Sequence, residues 1–171
     1  EVTKEAFKEY WMSPDGMSKI PHLVGSRGAA GEGEGAGDDL ARSGRFKPLP
    51  RTDMLNKPTS AEHVNFRNWQ SLGQDNLAIG RVSSAANGMV TVQFQLFDVY
   101  RGEQLTGFSI SANRSDLRGV AHRISDLIYE KLTGQKGAFS TRMAYVTSKL
   151  GINGQLEYKI QVADADGFGA K

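Results

Sequence analysis

The glycines at positions 31, 33, 35 and 37 are the first residues whose spacing could do chemistry, since closely spaced glycines can let backbone N–H groups cradle a phosphate. Their register does not suit that use. Neither G-x-G-x-x-G nor G-K-[ST] occurs, no strand precedes the run, and Glu32 and Glu34 within it would repel phosphate. Six of the thirteen positions from Gly25 to Gly37 are glycine, so the stretch reads as a flexible loop. Asp164-Ala165-Asp166-Gly167 resembles a piece of a calcium loop. An EF-hand would need an acid at Val162 and a glutamate six residues after the glycine, so a β-turn is the better reading.

His22, His63 and His122 each lack a nearby acid or second histidine at ligand spacing, so neither a zinc site nor a serine triad can be built locally. His122 borders an apolar helical stripe and reads as flanking packing. Arg114, Arg118 and Arg123 lie close together on the same helix and read as a solvated face. With aromatic residues at 9% and basic residues scattered among acids, the interleaving of cations and stacking rings that single-strand binding needs is missing. No catalytic, cofactor-binding or metal residue is expected, and no partner-binding residue is assigned.

The chain has 171 residues, 39% hydrophobic and 23% charged, which suits one globular domain or a domain plus a fragment. Its formal charge of +2 supplies no strong field to recruit nucleic acid or anionic lipid. The absence of cysteine excludes disulfides, thiolate metal sites and cysteine nucleophiles together, without identifying a compartment. No apolar run approaches the ~20 residues of a spanning helix, and no leader-like segment opens the chain, so an exported form is expected to begin after a removed leader.

The elements that must position any site follow from periodicity. A short helix is expected over Glu5–Met12, and a last helical turn over Asp39–Ser43, closed by Gly44. Residues 45–50 read as extended around Pro48 and Pro50. A short helix over Ala61–Leu72 would place Phe66, Trp69 and Leu72 on one face. Three strands follow over 76–82, 89–99 and 105–112. In the middle one Val90, Val92, Phe94 and Leu96 alternate with polar residues, the mark of a sheet with one buried face. Ala86-Asn87-Gly88 reads as the first hairpin turn. A long helix over 114–133 carries Leu117, Val120, Ala121, Ile124, Leu127, Ile128, Lys131 and Leu132 on its stripe, with Asn113 as its expected cap and Gly134 as its stop. Two further strands are expected at 142–146 and 158–162.

Several ordered blocks are similar to one family. Asp39-Leu40-Ala41-Arg42-Ser43-Gly44-Arg45-Phe46 resembles its D-L-x-x-S-G-x-F block, followed by Phe66-Arg67-Asn68-Trp69 and Leu72-Gly73. Tyr129-Glu130-Lys131-Leu132-Thr133-Gly134 matches its most specific block, running on into Lys136–Arg142 and Ala144-Tyr145-Val146. Over roughly residues 38–168 the chain resembles the TolB family of the periplasmic Tol–Pal envelope system. The resemblance implies an α/β (α+β) fold: an amino-terminal mixed sheet packed by helices, like the anticodon-binding domains of class II synthetases, then the truncated start of a six-bladed β-propeller.

On that resemblance residues 1–37 are a divergent, partly flexible segment, 38–137 the amino-terminal domain, and 138–171 a linker with the first propeller strands. Ile20-Pro21-His22-Leu23-Val24 is only a faint echo of the family's R-P-I-x-V-V-P-F strand. The family implies a non-catalytic periplasmic protein that links TolA at the inner membrane to Pal at the outer membrane, maintaining envelope integrity and supporting division. It also implies colicins as further ligands, a monomer, and no cofactor, nucleic acid or membrane insertion. A chain with only opening propeller strands is expected to bind Pal weakly. The alternatives are an RNA-binding module of anticodon-binding type and an enzyme whose site is assembled across the sheet.

Overall fold

The computed structural model describes residues 36–171, except 57, 59, 86 and 87. The expected helix over Glu5–Met12, the faint strand around Ile20–Val24, His22, and the centre of the first hairpin turn lie outside the described residues. Three helices are described: α1 (Ala36–Arg42), α2 (Phe66–Ser71) and α3 (Leu117–Thr133). The strands are β1 (Asn76–Ser84), β2 (Met89–Asp98), β3 (Glu103–Asn113), β4 (Arg142–Leu150) and β5 (Leu156–Asp164). They form a three-stranded sheet in the order β1-β2-β3 and a separate β4-β5 hairpin, all antiparallel. No strand that would make the sheet mixed is among the described residues.

The meander forms because β2 alternates. Val90, Val92, Phe94 and Leu96 are buried, and their partners Ile110 and Phe108 on β3 and Val82 and Gly80 on β1 share their face. Side chains directly opposite in a sheet point to the same side. The apolar stripe of α3 packs on that side, with Leu117, Val120, Ala121, Ile124 and Ile128 in the same core as Val92 and Phe94. At the start of β1, Leu77, Ala78 and Ile79 are all buried, so both faces are covered there. Phe97 meets the ring of Phe66 of α2 at 5.8 Å in a tilted arrangement, while Trp69 is fully buried and Leu72 packs against the core. This matches the expected shared face of the three α2 residues. The α2 amino terminus is capped by Asn65, whose side chain accepts from the Arg67 N–H.

Several boundaries differ from the expectation: the helix expected over Ala61–Leu72 is a 3-10 turn at Ala61–His63 followed by α2 at Phe66–Ser71, and the strands expected at 142–146 and 158–162 extend to Arg142–Leu150 and Leu156–Asp164. α1 is already helical at Ala36, the first described residue, and Ala36 and Gly37 are buried. Tertiary burial therefore extends the helix into the glycine run, where composition alone suggested a loop. At α3, Asn113 makes no side-chain cap. A 3-10 turn over Arg114–Asp116 intervenes, and the α-helix starts from Asp116, also without a side-chain cap bond. The stop is as expected: Gly134 is left-handed at φ 73 and its N–H returns to the Glu130 carbonyl.

The junction after α3 depends on one close approach. The Asp126 carboxylate accepts from the backbone N–H groups of Phe139 and Ser140 and from the Ser140 hydroxyl. A Cβ at Gly137 would collide with Asp126, so only glycine lets the chain pass this close. Tyr129 is flanked edge-on by Phe46 and Phe139, which ties the segment before β4 to the helix and to the stretch after α1.

Candidate functional site

Three parts of the chain converge at a buried polar cluster: Asp39 from α1, Arg118, His122 and Ser125 from α3, and Asp164 at the end of β5 with Asp166 from the turn that follows. Arg118, His122 and Ser125 recur at helical spacing, a polar seam beside the apolar stripe of α3. Asp39 is fully buried and accepts three hydrogen bonds: from Arg42 at 2.6 Å, from His122 Nδ1 at 2.6 Å and from the Ser125 hydroxyl at 2.9 Å. Burying a carboxylate is tolerable only when it is compensated in this way.

On the far side of the imidazole, Nε2 stands 3.5 Å from Asp166 Oδ2 and is buried without a hydrogen bond. Asp166 is held by the Arg118 guanidinium and by the Phe168 N–H, while Arg118 Nε reaches Asp164 at 3.3 Å. The guanidinium also lies 4.3 Å from the Phe168 ring centre, in cation–π geometry. Burial alone would push the Asp166 carboxyl up. The hydrogen bonds from Arg118 and the Phe168 N–H, with the charges of Arg118 and His122, outweigh it and hold the group below its ordinary value.

These placements correct two readings of the sequence. His122 is not isolated flanking packing, because it bridges two carboxylates brought from positions 39 and 166. Arg118 is not on a solvated face, being 7% exposed, whereas Arg114 and Arg123 are exposed as expected. His63 is exposed, and its Nδ1 lies 2.8 Å from the Ser60 hydroxyl. The β-turn reading of 164–167 holds: Gly167 has φ 89 and its N–H bonds the Asp164 carbonyl at 2.8 Å. Its aspartates have the further role of receiving Arg118. The signal available beforehand was the 118, 122, 125 polar seam, which a count of local neighbours overlooks.

Asp39, His122 and Ser125 have the residue types of a hydrolytic triad but the wrong order. The Ser125 hydroxyl lies between two acceptors, Asp39 Oδ2 at 2.9 Å and the Ala121 carbonyl at 3.0 Å, and is fully buried rather than facing His122 Nε2. A nucleophile must sit on the other ring nitrogen and face substrate. Asp39, His122 and Asp166 also offer ligand atoms within 4.8 Å of one another. The donor set suits a cation poorly, because Arg42 and Arg118 already neutralise the two carboxylates and Asp39 occupies Nδ1. Chemically, the cluster fastens elements together: it ties α1 and α3 to the end of the β4-β5 hairpin.

A small α+β domain, with a helix-packed antiparallel meander joined to a hairpin, is therefore the class defined here. Residues 36–105 match the model of the TolB amino-terminal domain. The Tol-Pal system protein TolB of Nitrosococcus oceani is 48% identical over 129 residues, covering 75% of this chain and 30% of that protein. The protein of the same name from Xanthomonas oryzae pv. oryzae is 44% identical over 132 residues, covering 77% and 30%. The crystal structure of TolB from Acinetobacter baumannii superposes with a TM-score of 0.70 at 32% identity, covering 80% of this chain and 33% of that one. The chain belongs to the TolB family, and it spans about a third of the length of these relatives. No helix among the described residues is long and apolar enough to cross a membrane.

Proposed function

We propose that this chain is a non-catalytic, protein-binding part of the Tol–Pal system, acting in the periplasm between TolA at the inner membrane and Pal at the outer membrane. In this role it maintains envelope integrity and supports division. The observation that carries the reading is the identity to Tol–Pal proteins, 48% over 129 residues, which runs well beyond the 70-residue span of the matched amino-terminal domain. The named relatives give no support to an RNA-binding module.

In this reading residues 38–137 are the amino-terminal domain and residues 138–171 the linker and opening strands of a propeller. The register supports the assignment. Val146, Tyr158, Ile160, Leu150 and Leu156 fall on one face of the hairpin, and all five are more than half exposed. An apolar sheet face of that size is suited to burial under a further sheet, which the remaining length of the relatives could supply. The buried cluster then sets the orientation of the first strands against α3, so contacts made on one part bear on the other.

A chimera tests the function. Residues 38–171 replace the matching segment of the Acinetobacter baumannii protein, and the product is expressed in cells of that organism lacking their own copy. Restored resistance to detergent is expected. A chimera that is exported and folded yet restores nothing overturns the reading.

A further inference from the structure

We propose that the outer edge of β3, which pairs with no described strand, is a docking site for an extended segment of another polypeptide that carries an apolar side chain and a carboxylate on one face. β3 pairs with β2 on one side only, and among the described residues no strand pairs with its other edge. Such an edge offers unpaired N–H and C=O groups along its length and is normally blunted by lysine, proline or a bulge. β3 has neither lysine nor proline, its only charge is Glu103 at its start, and its one register shift, at Leu105, lies near that same end and leaves Thr106–Asn113 in regular pairing with β2.

The strand is flanked by a recess on each face near its middle. Between β3 and α3 runs a groove of about 280 Å³ lined by Phe108, Ile110 and Leu127, with Arg123 at its rim. Phe108 is 47% exposed, and its ring is stacked at 5.8 Å on the buried Phe94, so it is held in place before any partner arrives. The opposite face bears a hollow of mixed character, lined by Ile79 and by Arg81, Gln93, Gln95, Gln104 and Ser109. Side chains of an added strand alternate between the two faces. Its odd residues would therefore enter the apolar groove and its even residues the mixed hollow.

Charge selects the occupant. Arg123 is exposed and makes no ion pair among the described residues. A carboxylate two positions along from the apolar residue, on the same face, would meet it. A second copy of β3 fits less well. Antiparallel pairing about Phe108 places both α3 helices on one side of the joined sheet, which brings two Arg123 cations to the seam. Main-chain pairing would give affinity, and the groove with its arginine would give selectivity.

The probe is a synthetic nonapeptide with Val, Leu and Glu at successive odd positions and Thr and Gln at even ones, titrated into the full chain by NMR. Shift changes centred on β3, with slowed exchange of alternate β3 amides, are expected. Replacing Glu by Lys in the peptide should weaken binding roughly three- to tenfold, the scale of a rim ion pair. Arg123→Glu should reverse that preference and Arg123→Lys should keep it. The site is overturned if neither peptide perturbs β3 at millimolar concentration, or if both bind equally. Protection of β3 amides by self-association, rising with protein concentration in the absence of peptide, would overturn the assigned occupant in favour of a second copy.

Discussion

His122 Nδ1 lies 2.6 Å from Asp39 Oδ2, across 83 positions of sequence, and both side chains are buried. This contact joins the first described helix to the longest one. On the other side of the same ring, Asp166 brings in the turn after β5, so one imidazole stands between the domain and the hairpin.

Asp39→Ala removes the buried acceptor shared by Arg42, His122 and Ser125. Breaking a buried, charge-paired group of this kind costs about 3–5 kcal/mol. Urea denaturation should show that loss, and a double-mutant cycle with His122→Gln should be non-additive by about 0.5–3 kcal/mol. A loss for Asp39→Ala under about 1 kcal/mol would mean that the cluster holds little.

Acid should loosen the hairpin through Asp166. Its carboxyl is held below the ordinary value in the folded chain, so the stability it contributes is fully present above the usual carboxylate range and is lost as pH falls through the lower folded value. Hydrogen exchange of β5, followed downward from about pH 5, should rise more steeply in the parent than in Asp166→Asn, where this group no longer titrates. Identical profiles for the two proteins would remove Asp166 from the account.

Much of the fold was legible because its elements are periodic. The alternation of Val90, Val92, Phe94 and Leu96 and the stripe of α3 are each specified by neighbours within a few residues, and both are buried as that patterning requires. The blocks around Asp39–Phe46 and Tyr129–Gly134 carried the family. The cluster was not legible in the same way. Asp39, Arg118 and Asp166 acquire their roles only when the chain closes on itself, and a charged residue on a helix is ordinarily solvated. The helical state of Ala36 and Gly37 was missed for a related reason: Gly37 is a poor helix former, and its place in α1 is set by burial rather than propensity.

The account rests on the cluster being a fastening between the domain and its hairpin, which Arg118 tests most directly. Arg118 holds Asp164 and Asp166 and stacks on Phe168. Arg118→Met keeps the stem and removes the charge. Hydrogen exchange compared residue by residue should show β5 and residues 164–168 exchanging at least about tenfold faster in the variant, with β2 unchanged, as expected when one cooperative unit opens without the other. Unchanged exchange in β5, or equal acceleration in β2 and β5, would contradict the claim, the first because nothing was fastened and the second because the cluster would belong to the common core.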